Sequence, residues 1–165
     1  MIINEQELQY KWGDILFYSS YPNDIYDTLI SDWTNSPLVH VAVAVSSTEK
    51  VEALINGVII SPISSRHVAK VWSYMNTGHS PLTDSFNYAL NWLHLQVGNP
   101  YGFGDVAEAI LYKLEHGLTV EIGDHFDCSA LALEFLLKAG GVEQIQEVSD
   151  VHIYTPAMLY KLLTT

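Results

Sequence analysis

The apolar segment from Leu38 to Val45 constrains the fold of this chain most. Valine occupies every second position from 39 to 45, and the positions between hold Leu38, His40, Ala42 and Ala44. An alternation of period two is typical of a β-strand, whose successive side chains point to opposite faces. The sequence therefore predicts a strand with one valine face and a second face that carries an imidazole among small side chains.

Strand patterns dominate the first half of the chain and helical patterns the second. The predicted strands cover Trp12 to Ser20, Leu38 to Val45, Val51 to Ile55, Val58 to Ser61 and Val68 to Met75. The predicted helices cover Ile25 to Trp33, Asp84 to Val97, Asp105 to Glu115, Ser129 to Ala139 and Pro156 to Leu163. Asn56-Gly57 is a two-residue hairpin signal. We expect an α+β fold, with an antiparallel sheet or partial barrel packed on segregated helices.

Length and charge narrow the class of protein. The 165 residues, 48% of them hydrophobic, suit one domain over 1–165 with a sizeable core. The net charge of −12 disfavours nucleic-acid binding and charge-driven docking on anionic lipid, since both need Lys and Arg. The single cysteine excludes a disulfide framework and a cysteine zinc finger.

The sequence also bears on location. Its start lacks the basic and apolar regions of a secretory signal, and its longest mostly apolar stretch is far too short to span a membrane. We therefore expect a soluble, cytoplasmic chain without a membrane span. Export by a non-classical or phage route stays open.

The lone Cys128 precedes an apolar helical segment, in Asp127-Cys128-Ser129. A thiol at a helix N-terminus feels the positive end of the helix dipole, which favours the thiolate form. Cys128 is therefore a candidate nucleophile. A buried structural cysteine is the alternative.

His40 and Glu52 are candidate partners for that thiol, because a cysteine nucleophile needs an imidazole and the imidazole needs an orienting group. If a three-residue loop joins the two strands, Ala44 pairs with Thr48, and His40 lies opposite Glu52 on the same face. A one-residue slip would send Glu52 to the other face. The alternative for His40 is a half-buried strand histidine bonded to a carbonyl.

An ordered set of motifs resembles a known family. Gly98-Asn-Pro-Tyr-Gly-Phe-Gly104 and Phe126-Asp-Cys-Ser-Ala-Leu131 are similar to the nucleophile half of the NlpC-type cysteine peptidases, papain-like enzymes that cut bacterial cell-wall peptides. Gly13-Asp14-Ile-Leu-Phe17, His40-Val-Ala-Val43 and Glu52-Ala53 are similar to their other half. Here the second half comes first, so the chain resembles the circularly permuted, YiiX-like branch, distantly related to the lecithin-retinol acyltransferases.

The resemblance implies a permuted papain-like fold and a role for each site residue. Cys128 would be the nucleophile, His40 the general base and Glu52 the group that orients His40. Tyr101 would lie near the cleft, and Asp127 and Ser129 would contact the substrate. Ala130 and Asp105 stand where the family has glycine, which puts substrate specificity in doubt.

The expected function is hydrolysis of a peptide amide through an acyl-enzyme, with cell-wall-type peptides as substrates and no cofactor. One alternative is a lipid-directed acyl hydrolase or acyltransferase, and another is an inactive binding module. Asp124, His125 and Asp127 cluster near the cysteine, but we expect no metal site there, since loops often gather such residues. The oligomeric state is not predicted.

Overall fold

The computed structural model describes residues 10–21, 24–54, 57–64, 67–78, 83–99, 127–146, 148 and 154–165. At positions 25, 26, 29, 33, 77 and 127 it describes the backbone alone. The helix predicted over Asp105 to Glu115 lies outside these residues.

The described elements make an α+β fold. In chain order they are β1 (Ile15–Ser19), α1 (Ile25–Thr34), β2 (Leu38–Ala44), β3 (Glu49–Leu54), β4 (Gly57–Pro62), β5 (Val68–Trp72), α2 (Asp84–Gln96), α3 (Asp127–Ala139) and α4 (Pro156–Thr164). Each overlaps a predicted segment, with its ends moved by a few residues. The strand β1 begins three residues later than predicted, and β5 ends three residues early because a 3-10 turn occupies Tyr74–Thr77.

The five strands form one antiparallel sheet in the order β4-β3-β2-β1-β5. Among the described residues, the edge strands β4 and β5 do not pair with each other, so the sheet is open and not closed into a barrel. An antiparallel sheet with separate helices was predicted from the sequence, and at that level the prediction is confirmed.

The main core lies between one sheet face and the helices α2, α3 and α4. The valine face of β2 supplies Val41 and Val43, both fully buried. Leu131, Phe135 and Leu136 of α3 belong to the same core cluster. The helix α3 packs on β2 and β3, which brings its N-terminal turn to the part of the sheet that carries His40.

Irregular pairing beside His40 changes the direction of the strand. Tyr18 pairs with His40, but the next residue, Ser19, pairs with Leu38, so Val39 is an extra residue in β2. Such a bulge bends a strand and re-aims the side chains beside it. The bulge therefore lies next to the imidazole and changes its direction locally.

The predicted register of the β2–β3 hairpin is wrong by two residues. Ala44 pairs with Lys50 and not with Thr48, and Val45 N–H donates to the Glu49 carbonyl. The loop is longer than assumed because Ser46 accepts hydrogen bonds from the backbone N–H groups of Thr48 and Glu49. In the β3–β4 hairpin, Gly57 likewise belongs to β4, where it pairs with Leu54.

Candidate functional site

His40 and Glu52 are joined by a hydrogen bond of 2.7 Å between His40 Nε2 and Glu52 Oε2. Continuing the register of β2 and β3 puts Glu52 across from Ala42, so the two side chains are diagonal neighbours on one sheet face. Their side chains are 18% and 7% exposed. The sheet thus holds an imidazole against a buried carboxylate, the pairing that the sequence predicted.

Cys128 lies in the first turn of α3 and is 2% exposed. Cys128 interacts with the imidazole, because it raises the pKa of His40. With Nε2 of the imidazole bonded to Glu52, Nδ1 is the ring nitrogen left for another partner. Glu52 and Cys128 therefore both act on His40, Glu52 through a hydrogen bond and Cys128 through its effect on the pKa.

His40 and Glu52 each stabilise the charged form of the other. Burial lowers the pKa of His40, but its interactions with Cys128 and then Glu52 outweigh that effect and raise the pKa to about 9. Burial raises the pKa of Glu52, but the hydrogen bond and charge of His40, followed by Lys50, lower it to about 2. At neutral pH the pair is therefore an imidazolium beside a carboxylate.

Two further partners of Glu52 were missed in the sequence. The Lys50 ammonium contacts Oε2, and the Ser61 hydroxyl donates to Oε1 over 2.5 Å. Lys50 lies two residues before Glu52 in β3, a spacing that puts both side chains on one face of the strand. Ser61 pairs directly with Lys50 across β3 and β4. The Asn56-Gly57 signal does not predict this pairing, because a loop of those two residues would place Ile63 opposite Lys50.

A cavity of about 430 Å³ lies beside His40, between α1 and the sheet. Its size is within the usual range of small-molecule sites, roughly 300–1,000 Å³. Both apolar and charged side chains line it, among them Tyr18, Asp27, Ile30, Val39, His40, Lys50, Glu52, Leu54 and His67. The imidazole thus has direct access to a space that can hold a ligand.

Of the three predicted substrate-binding residues, the structure describes the side chain of one. Tyr101 and the side chain of Asp127 lie outside the described part of the structure. Ser129 is fully buried, and its hydroxyl has no hydrogen-bond partner among the described residues. Contact of these three with a substrate stays a prediction.

The described residues contain no group of three or more His, Cys, Asp or Glu side chains that could hold a metal ion. Asp124 and His125, the other members of the cluster noted near the cysteine, lie outside them. Within the same ranges, no helix combines the length and apolar composition that a membrane span requires.

Comparison with known proteins identifies no relative: no protein-family model, curated protein or solved structure matches the chain. What the chain does must therefore be inferred from its own residues.

Proposed function

We propose that the chain is a thiol hydrolase that cleaves amide bonds through an acyl-enzyme on Cys128, within a circularly permuted papain-like fold. The hydrogen bond between His40 and Glu52 carries the proposal, together with Cys128, which acts on the same imidazole from the first turn of α3. A thiol, an imidazole and an orienting carboxylate, in that order, are the groups that catalysis by cysteine requires.

Two cations surround the buried carboxylate of the candidate site. Lys50 and the His40 imidazolium both contact Glu52 Oε2, so two positive charges share one negative charge. The excess positive charge can stabilise the anionic sulfur that attack on a carbonyl requires.

The position of Cys128 in α3 supplies a second supporting feature. The first four backbone N–H groups of a helix have no partner within the helix. We assign to those around Cys128 the task of holding the oxyanion that forms when the thiolate adds to a carbonyl.

The reaction proceeds in two steps, acylation of Cys128 and hydrolysis of the thioester. The Cys128 sulfur bonds to the amide carbonyl carbon, and the C–N bond breaks as His40 gives its proton to the leaving amine. Water then attacks the thioester while His40 takes up a proton from it, and the S–C bond breaks. A carboxylic acid leaves, and the thiolate and imidazolium are restored.

A peptide is the substrate that we favour, with cell-wall-type peptides first because of the family resemblance. The cavity beside His40 has room for a small-molecule-sized part of such a substrate. The net charge of −12 supports a peptide over a nucleic acid.

The apolar side of the cavity favours one alternative, hydrolysis or transfer of a fatty acyl group. Ile30, Val39 and Leu54 line the space beside His40 and would suit an acyl chain. Parallel assays with peptide amides, acyl esters and vesicle co-sedimentation separate the two. Turnover of acyl esters together with vesicle binding would replace the peptidase proposal.

The first test is the alkylation rate of Cys128, the only thiol of the chain, in the parent and in His40→Ala. We expect rapid alkylation at pH 7 and a loss of about tenfold or more in His40→Ala, because the imidazolium stabilises the thiolate. His94→Ala, at an exposed position on α2, is the matched control. Equal rates in all three proteins, or a folded protein whose thiol never reacts, would contradict the proposal.

Substrate turnover is the second test. A screen that begins with cell-wall peptides should find hydrolysis that disappears in Cys128→Ala and Cys128→Ser. Binding of a peptide without hydrolysis, equal in parent and variants, would show a binding module instead.

A further inference from the structure

Lys50 is an unusual lysine because it is only 7% exposed. Its ammonium contacts Glu52 Oε2, and it lies 4.4 Å from the centre of the Tyr18 ring, over the ring face. A buried ammonium without a counter-charge would be strongly unfavourable. The Tyr18 ring adds a favourable cation–π contact, so Lys50 is held tightly against Glu52.

Donors on three neighbouring strands surround the Glu52 carboxylate. His40 of β2 and Lys50 of β3 contact Oε2, and Ser61 of β4 donates to Oε1. A carboxylate held by one hydrogen bond can rotate about its terminal torsion, which is broad and soft. Donors on both oxygens remove that freedom.

We propose that Lys50 and Ser61 are positioning residues: they hold the Glu52 carboxylate in the one orientation that fixes the His40 ring for its work on Cys128. This inference rests on the proposed function and extends its site from three residues to five. Lys50 and Ser61 act through Glu52.

Lys50 also has an electrostatic effect opposite to that of Glu52. Both cations contact the same oxygen, and like charges at such distances disfavour each other. Loss of Lys50 should therefore make His40 a stronger base, whereas loss of the Glu52 charge should make it weaker. Within the part of the chain that the structure describes, the titratable groups around His40 are Tyr18 of β1, Asp27 of α1, Lys50 and Glu52 of β3, and Cys128 of α3.

The experiment measures two quantities in Lys50→Met, Ser61→Ala, Glu52→Gln and the parent. One is the midpoint of the His40 titration by NMR, and the other is the alkylation rate of Cys128 at pH 7. The matched control is Lys70→Met, which removes an exposed lysine on β5.

We expect Cys128 alkylation to slow about tenfold in both positioning variants, since small misplacements of reacting groups are costly. The His40 midpoint should rise by about one unit in Lys50→Met and should not fall in Ser61→Ala. In Glu52→Gln it should fall. Slower alkylation without a lower midpoint separates a loss of position from a loss of the orienting charge.

The inference would be overturned if Lys50→Met kept the parental alkylation rate of Cys128 and the parental midpoint of the His40 titration. A lowered His40 midpoint in this variant would overturn it as well. If Lys50→Met does not fold, Ser61→Ala decides, and a parental alkylation rate there overturns it. If the proposed function itself fails, the alkylation rate of Cys128 will be insensitive to His40→Ala. The midpoint of the His40 titration alone then decides whether Lys50 acts on the pair of His40 and Glu52.

Discussion

At the scale of single residues, the site depends on a carboxylate that has little contact with water. Glu52 is 5% exposed, yet its pKa is lowered to about 2 because His40 and Lys50 supply opposite charge and hydrogen bonds that outweigh burial. Cys128 and then Glu52 raise the pKa of His40 to about 9 against the effect of burial. The two residues therefore set each other's protonation state over most of the pH range.

The first prediction concerns the alkaline limb of activity. The rate should fall as the pH rises through about 9, where His40 loses the proton that the leaving amine needs. In Glu52→Gln the limb should move down towards the ordinary value of 6.5, because the carboxylate no longer stabilises the imidazolium. The measurement is kcat/KM against pH. Glu49→Gln, an exposed carboxylate at the start of β3, should leave the limb in place, and an unmoved limb in Glu52→Gln would contradict the assignment.

Two candidate site residues could be predicted from the sequence because each stands out locally. The chain has one cysteine, at a predicted helix start, and one histidine in its strongest strand pattern. Glu52 was predicted only through an assumed pairing of two strands. Ser61 meets Glu52 through the pairing of β3 with β4, and Lys50 becomes its neighbour only once Lys50 is known to lie in β3, so neither could be predicted locally.

At the scale of elements, the β2–β3 hairpin shows how a wrong register can still predict a correct contact. The observed pairing of Ala44 with Lys50 differs by two residues from the predicted one. Side chains alternate between faces with a period of two, so a two-residue shift leaves His40 and Glu52 on the same face. The imidazole and carboxylate are long enough to meet diagonally.

The glycine just before β1, Gly13, is the subject of the second prediction, which concerns the stability of the fold. Gly13 has φ +83°, and a Cβ built there would lie 2.7 Å from Phe86 of α2. Its N–H also donates to the Ala44 carbonyl, which fixes β1 beside β2. We expect Gly13→Ala to destabilise the fold by about 2 kcal/mol or more, from the left-handed backbone and the overlap together.

Gly78→Ala is the matched control for this prediction. Gly78 has the same φ of +83°, but nothing lies within 4 Å of a Cβ built there. Urea unfolding of both variants isolates the contribution of Phe86 as the difference between them. Equal losses of stability would mean that the overlap is relieved at no cost.

At the scale of the whole molecule, the sheet order β4-β3-β2-β1-β5 goes beyond what local patterns predict. The first four strands in the order are joined through hairpins or a single helix, but β5 crosses to the far edge and pairs with β1. Tyr74, fully buried after β5, donates hydrogen bonds to the carbonyls of Ala139 and Gly140 at the end of α3. Such contacts join segments distant in sequence and leave no periodic signal.

The third prediction concerns the pH dependence of stability. The lowered pKa of Glu52 contributes stability that is present above about 4.5 and is lost as the pH falls through about 2. The raised pKa of His40 contributes stability that is present below 6.5 and is lost as the pH rises through about 9. The free energy of unfolding of the parent relative to Glu52→Gln should therefore be largest between pH 4.5 and 6.5.

Urea unfolding at a series of pH values measures that difference. The pH-dependent part should be on the order of 2 kcal/mol. Glu49→Gln should differ from the parent by an amount that hardly depends on pH. A difference between the parent and Glu52→Gln that is flat from pH 3 to 10 would show that the pair does not titrate as a unit.

The separation of Cys128 from its partners along the chain has a kinetic consequence, which is the fourth prediction. His40 and Glu52 lie on consecutive hairpin strands, whereas Cys128 reaches them only when α3 docks on β2 and β3. Local hairpins close faster than long loops. In refolding from urea, brief pulses of an alkylating reagent at pH 7 should label Cys128 slowly at first and quickly only after α3 docks. The labelling rate of the cysteine would then report the time at which α3 docks in the last stage of folding. Rapid labelling from the earliest pulse would show instead that α3 docks first.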